Sequence, residues 1–210
     1  MKDLVIVGAG GFGREVAWLV EQINEVSKEW NLIGFIDENK EMNETLINGY
    51  KVLGGIDWLK DKDIYYVCAI GNSKIRKDIV ERINKFKLKA ATIIHPSVLI
   101  NKKYVEVGEG CIICASSILT VNIKLGKHVI LNLDCTVGHD AILKDFVTVY
   151  PSVNISGNCI IDKCVELGTG TQIIQGKTIG ENTIIGAGSV VIKNIEKNRT
   201  AVGIPAKTIK

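Results

Sequence analysis

From Val107 to Val191 every sixth residue is aliphatic: Val107, Ile113, Leu119, Leu125 and onward to Ile185 and Val191, 15 positions with no slip in register. An amphipathic helix repeats about every 3.6 residues and a strand about every 2, so a sustained period of six belongs to neither alone. It predicts a solenoid in which each hexad supplies one short strand and one corner. Four residues after each aliphatic position stands a small or β-branched side chain, from Cys111, Ser117 and Ile123 through to Ser189, with Lys177 the exception. These are the second inward positions. Gly108, Gly126, Gly138, Gly168, Gly180 and Gly186 directly follow the aliphatic residue, where tight corners favour glycine. Three hexads close a triangular coil of 18 residues, so the run makes about five coils.

The pattern before the solenoid is different. Residues 2–7, KDLVIV, read as a buried strand, followed by GAGGFG and by REVAWLVEQINEV, which has helical apolar spacing. Gly8, Gly10 and Gly13 form G-x-G-x-x-G in its strand-to-helix setting, where the backbone and the helix N-terminus approach a phosphate. A second strand, Leu32 to Asp37, ends on a carboxylate placed where ribose hydroxyls are often read. A short helical piece follows around Ile56 to Lys60, then a third strand, Ile64 to Ile70, running into Gly71-Asn72. Ser73 is the expected cap of a helix through Phe86.

These patterns predict an α/β half-Rossmann (βαβαβ) domain over 1–90, a changeover over 91–104, a parallel β-helix over 105–195 and a tail over 196–210 that docks back. A dinucleotide needs both halves of a doubly wound fold, and only one is present, which favours a mononucleotide moiety over NAD.

Composition adds exclusions. The net charge of +3 is mild and no basic tract points to nucleic acid. No stretch approaches the roughly 18 apolar residues of a membrane span, and the opening MKDLVIVGAGG does not read as a signal peptide. A cytoplasmic protein is expected. Cys111, Cys135 and Cys159 occupy inward hexad positions and Cys68 an apolar run, so they read as packed thiols rather than metal ligands.

The candidate chemistry lies at His139 and Asp140, on the two corner positions of the Val137 hexad. Corner side chains project away from the packed prism. A histidine, with an unperturbed pKa of about 6.5, suits proton removal at neutral pH, and a neighbouring carboxylate orients the ring. Gly157 follows His139 by one 18-residue coil, leaving a notch beside the base. His128 falls on another edge, and His95 precedes Pro96 as a turn residue.

GAGGFGRE (Gly8 to Glu15), FIDE (Phe35 to Glu38), AIGNSKIRK (Ala69 to Lys77), IIHPS (Ile93 to Ser97), the LN…VGHDAILKDF block (Leu131 to Phe146) and GAGSVVIKNI…AVGIPAK stand in this order around the unbroken repeat. So arranged, the chain resembles the hexapeptide-repeat bacterial sugar acetyltransferases, which acetylate amino sugars on nucleotide carriers and include sialic acid O-acetyltransferase-like proteins. The resemblance implies a left-handed helix, His139 as base with Asp140 as partner, and Asn132 near the acceptor amine. It implies Gly11, Phe12 and Gly13 near the phosphate or uridine, Asp37 and Glu38 near the ribose or base, and Gly71-Asn72 closing the pocket. It places Thr148, Gly157, Thr169 and Ala187 along the path of acetyl-CoA, a co-substrate; no metal or permanently bound cofactor is implied. Thr148 departs from the pattern, since related enzymes commonly carry a second histidine there. Relatives assemble as trimers with sites between prisms, so a closed homotrimer is expected.

The expected activity is N-acetylation of a nucleotide-linked amino sugar. The alternatives are O-acetylation of a sialic acid-type sugar and a non-catalytic nucleotide-binding scaffold.

Overall fold

A computed structural model describes residues 1–210. β1 (Lys2–Val7), α1 (Gly11–Val26), β2 (Trp30–Ile36), β3 (Leu46–Ile47), β4 (Tyr50–Gly54), β5 (Tyr65–Cys68), α2 (Ser73–Ile83) and β6 (Lys89–Ala90) build the first unit. Its sheet runs β3-β4-β2-β1-β5-β6, parallel except for the β3–β4 hairpin. The crossover from β2 to β5 therefore carries a hairpin and short 3₁₀ turns instead of a second full helix. Polar, turn-forming residues between Asp37 and Tyr50 supply no apolar stripe for a helix.

α1 lays Val16, Ala17, Leu19, Val20 and Ile23 on the sheet. It can approach β1 closely because Gly13 has no side chain: a β-carbon there would lie 1.9 Å from the Gly8 carbonyl oxygen. Ser73 is not the cap of α2. Asn72 is, its Oδ1 accepting from the N–H of Ile75 at 3.0 Å.

The second unit is a left-handed parallel β-helix with three faces. Face one stacks strands Ile93–Ile94, Ile112–Ile113, Ile130–Leu131, Thr148–Val149, Glu166–Leu167 and Ile184–Ile185. Face two stacks Leu99–Ile100, Ile118–Leu119, Thr136–Val137, Asn154–Ile155, Gln172–Ile173 and Val190–Val191. Face three stacks Val105–Val107, Ile123–Leu125, Ile142–Leu143, Ile160–Ile161 and Thr178–Ile179. Of the aliphatic series, all except Val107 are buried, and they form the prism core.

Coiling starts earlier than the hexad count suggests. The strands at Ile93 and Leu99 already pair with those at Ile112 and Ile118, inside the segment expected to be a changeover. At the far end Thr200–Val202 extends face one and Lys207–Thr208 turns back antiparallel on it.

The corners also differ from expectation. The left-handed backbone falls on the third residue after each aliphatic position, at Ser116, Asn122, His128, Asp134, Asp140, Phe146, Ser152 and their equivalents. Glycines directly after the aliphatic residue serve contact between coils: a β-carbon at Gly138 would lie 2.6 Å from the Gly157 nitrogen.

The first unit packs on face one. Ile93, Ile112, Cys114 and Ile130 join the cluster beneath α1. Arg76, only 1% exposed, pins α2 to the prism. Its Nε donates to the His128 carbonyl at 3.1 Å and Nη2 to Phe146 at 2.8 Å, while Nη1 reaches the Ile70 carbonyl at 2.6 Å. Burial lowers Arg76 to about 10, which leaves it charged at neutral pH.

Candidate active site

His139 and Asp140 form the edge between faces two and three, joining the strand at Thr136–Val137 to that at Ile142–Leu143. Nδ1 of His139 lies 2.8 Å from Asp140 Oδ2. A carboxylate only accepts, so Nδ1 carries the proton and the lone pair sits on Nε2. The hydrogen bond to His139, then that to Asn122, holds the Asp140 carboxyl below its ordinary range. Both side chains are about half exposed, His139 at 50% and Asp140 at 45%.

Gly157 lies one coil on, buried beneath the imidazole. A β-carbon there would stand 2.5 Å from Nε2. The glycine is thus a floor under the ring more than an open notch beside it.

Thr169 and Ala187 fall on the edge between faces one and two, one coil apart, both exposed. Asn132 shares that edge at the coil level of His139, its Oδ1 accepting from the Leu133 N–H at 2.7 Å. Thr148 does not fit the coenzyme path implied for it. It points outward from face one, is 1% exposed, and donates its hydroxyl proton to the Gly71 carbonyl at 2.7 Å. Packing of the first unit on face one puts the side chain there into the domain interface, where threonine reaches that carbonyl.

The nucleotide-type residues gather at the carboxyl ends of β1, β2 and β5, where the strand order reverses. A cleft of about 100 Å³ there is lined by Val7, Gly8, Ile36, Asp37, Glu38, Ile56, Ile70 and Ile79. α1 begins at Gly11 with no side-chain cap, so its first N–H groups are open to an anion.

Asp37 braces this loop: Oδ2 accepts from the Ala9 N–H and Oδ1 from the Asn39 N–H, each at 2.9 Å. Glu38 accepts from the Ile56 N–H at 3.0 Å and pairs with Arg82 at 3.1 Å. Gly13 is buried against Gly8 and serves packing, whereas Gly11 is exposed and Phe12 half-buried. Gly71 is fastened by Thr148 and Arg76 and abuts the Tyr150 hydroxyl, and the Asn72 side chain is engaged in its cap.

The other histidines are not catalytic in character. His128 is stacked between Phe146 and Tyr66, with ring centroids 5.2 and 6.2 Å away. Burial, with Arg76 nearby, lowers it to about 4. His95 accepts the Ser97 N–H on Nδ1 at 3.0 Å, as befits a turn residue. All six cysteines are free and buried, and no group of three or more His, Cys, Asp or Glu side chains is arranged to hold a metal.

Arg76 and Asn122 were missed from the sequence. Arg76 lies in AIGNSKIRK without a role that spacing reveals, whereas Asn122 stands one coil before Asp140 and was findable by the same count that located Gly157.

Comparison with known proteins places the chain among sugar acetyltransferases. Residues 3–83 match the model of the PglD N-terminal domain. The chain is 32% identical to the GDP-perosamine N-acetyltransferase of Escherichia coli over 87% of its own length and 82% of that protein's. The acetyltransferase domain of PglB from Neisseria gonorrhoeae, solved with acetyl coenzyme A, superposes with a TM-score of 0.89 at 28% identity, covering 99% of each chain. PerB from Caulobacter crescentus, solved with CoA and GDP-perosamine, superposes with a TM-score of 0.88 at 26% identity, covering 100% of this chain and 98% of that one. The chain belongs to the bacterial sugar acetyltransferase family. It is, accordingly, an acetyl-CoA-dependent acyltransferase.

Proposed function

We propose that the chain acetylates the amino group of a nucleotide-linked amino sugar, with His139 as general base and Asp140 as its partner. The observation that carries this is the His139–Asp140 pair at 2.8 Å on an exposed prism edge, with Nε2 free. Nε2 takes a proton from the amine as the nitrogen attacks the thioester carbonyl. The C–N bond forms, the C–S bond breaks, and the imidazolium returns the proton to the departing sulfur. The products are an amide and free CoA thiol.

The nucleotide binds at the cleft beside Gly8, with Gly11 and Phe12 offering N–H groups to phosphate and Glu38 at the ribose or base. This cleft belongs to the unit covering face one, whereas His139 lies on the opposite edge. One chain therefore does not bring its own nucleotide to its own base.

A closed homotrimer with face two toward the axis resolves this. It sets the His139 edge of one protomer against the Asn132 edge of the next, so that Gly157 from one and Thr169 and Ala187 from its neighbour flank acetyl-CoA. Exposed apolar residues support that packing: Leu99 and Ile118 on face two, Leu133 on one edge, Val121 and Ile174 on the other. The free thiols suit the cytoplasm. No helix is long and apolar enough to cross a membrane.

The test mixes the protein with acetyl-CoA and UDP-, dTDP- and GDP-linked amino sugars, following thiol release and product mass. A gain of one acetyl group on nitrogen is expected. Silence on that panel with turnover of free or CMP-linked sialic acid would replace the reading with O-acetylation. No turnover and no coenzyme binding would leave a scaffold.

A further inference from the structure

Asn122 occupies the same prism edge as Asp140, exactly one 18-residue coil earlier. Its Nδ2 donates to Asp140 Oδ1 at 3.1 Å, while Asp140 Oδ2 takes the Nδ1 proton of His139 at 2.8 Å. The carboxylate is therefore held at both oxygens. We infer that Asn122 is a positioning residue for acetyl transfer, acting through Asp140 to fix the His139 imidazole; this rests on His139 being the base.

The physical need is local. His139 and Asp140 are half exposed, so little packing limits rotation of either side chain. A carboxylate bonded at one oxygen turns about its Cβ–Cγ bond, and the imidazole it orients turns with it. An amide on the second oxygen removes that freedom and, lacking charge, leaves the pair's electrostatics to Asp140 and His139.

The backbone prepares the contact as well. Asn122 and Asp140 both adopt the left-handed conformation, at φ of 56° and 60°, and the Asp140 N–H donates to the Val121 carbonyl at 3.0 Å. Asparagine and aspartate tolerate that conformation better than most residues. Asn158, one coil beyond Asp140 on the same edge, makes no side-chain hydrogen bond to it, so the support comes from one side only.

The test separates side chain from backbone. Asn122→Gly keeps the left-handed corner and deletes the amide. It is expected to lower kcat about tenfold, the worth of one hydrogen bond to a charged group, with both KM values and the oligomeric state retained. Asn122→Asp places a second carboxylate at the pair. It is expected to move the acid limb of kcat, and the His139 NMR titration in the free protein, to higher pH by favouring the imidazolium.

Parental kcat in Asn122→Gly, together with an unmoved His139 titration in Asn122→Asp, would reduce Asn122 to a corner residue. Measured alongside, His139→Ala must lower kcat by at least about a hundredfold. If it does not, the base assignment itself fails, an outcome distinct from failure of Asn122. Thermal melts of each variant exclude loss of fold as the cause.

Discussion

Gly157 lies directly beneath the His139 imidazole, and a β-carbon in place of its hydrogen would stand 2.5 Å from Nε2. The ring must shift off that carbon, which moves Nε2 and disturbs the bond from Nδ1 to Asp140. Gly157→Ala should therefore displace the base and lower kcat about a hundredfold, the penalty typical of an ångström-scale misplacement. Its backbone is not left-handed, so the fold should persist by circular dichroism. Full activity in Gly157→Ala would sink this reading of the site.

His139→Ala should cost between about 10² and 10⁴ in kcat, the range for a lost general base, with acetyl-CoA binding retained in calorimetry. Asp140 sharpens the pH dependence. Its hydrogen bonds to His139 and Asn122 hold its carboxyl below the ordinary range, so it is ionised at neutral pH. The acid limb of kcat should then show a single proton, that of the histidine. A limb of slope two would mean that a second group titrates in the site.

Acid should loosen the join between the units through His128. Its folded value of about 4 lies below the ordinary histidine value near 6.5, so the unfolded chain binds the proton more readily. The stabilisation is complete above pH of about 6.5 and is lost as the pH falls toward about 4, amounting to roughly 3 kcal/mol. Replacing His128 by Phe keeps the stack between Tyr66 and Phe146 and should flatten the urea-midpoint curve across that window. An unchanged curve would assign the acid sensitivity elsewhere.

Arg76 should be the costliest single loss at the interface between the two units. Arg76→Leu strands the backbone carbonyls of Ile70, His128 and Phe146, which accept from the guanidinium, while Gly71 keeps its bond from Thr148 and Val147 that from the Ile130 N–H. Each orphaned buried acceptor costs about 1–3 kcal/mol, not additively, so a total of at least about 3 kcal/mol is expected in denaturant titration. A change below about 1 kcal/mol would mean that water replaces the guanidinium there.

Glutamates at Leu99 and Ile118, both exposed on face two, should dissociate the proposed trimer. Light scattering should show the parent at three times the 22.9 kDa chain and the double variant at one. The dissociated variant should lose turnover while still binding nucleotide. A parent that is monomeric and active would overturn the shared site.

The prism was legible because its signal is strictly local. Each hexad must place one aliphatic and one small side chain inward, so register, face and edge follow by counting from Val107, and the same counting puts His139 over Gly157. The strand-glycine-helix opening was legible for a similar reason, since Gly13 is demanded by the approach of α1 to β1. Counting does not reveal which face another unit covers. The resemblance set Thr148 on the coenzyme path and counting could not show that the face it occupies is covered, and His128, also on a corner, gave no sign of being buried.

The sequence by itself determined the coil, the edge that bears His139 and Asp140, and the half-sized nucleotide-type unit, because all three rest on spacings within a few turns of chain. Only the tertiary structure decided that this unit lies on face one, through Arg76, Ser73 and Thr148, and so on the far side of the prism from His139. That placement depends on contacts between residues some 50 to 90 positions apart, such as Arg76 with His128 and Ser73 with Glu166. Contacts of that range leave no periodic trace in a sequence, since neither partner constrains its own neighbours along the chain.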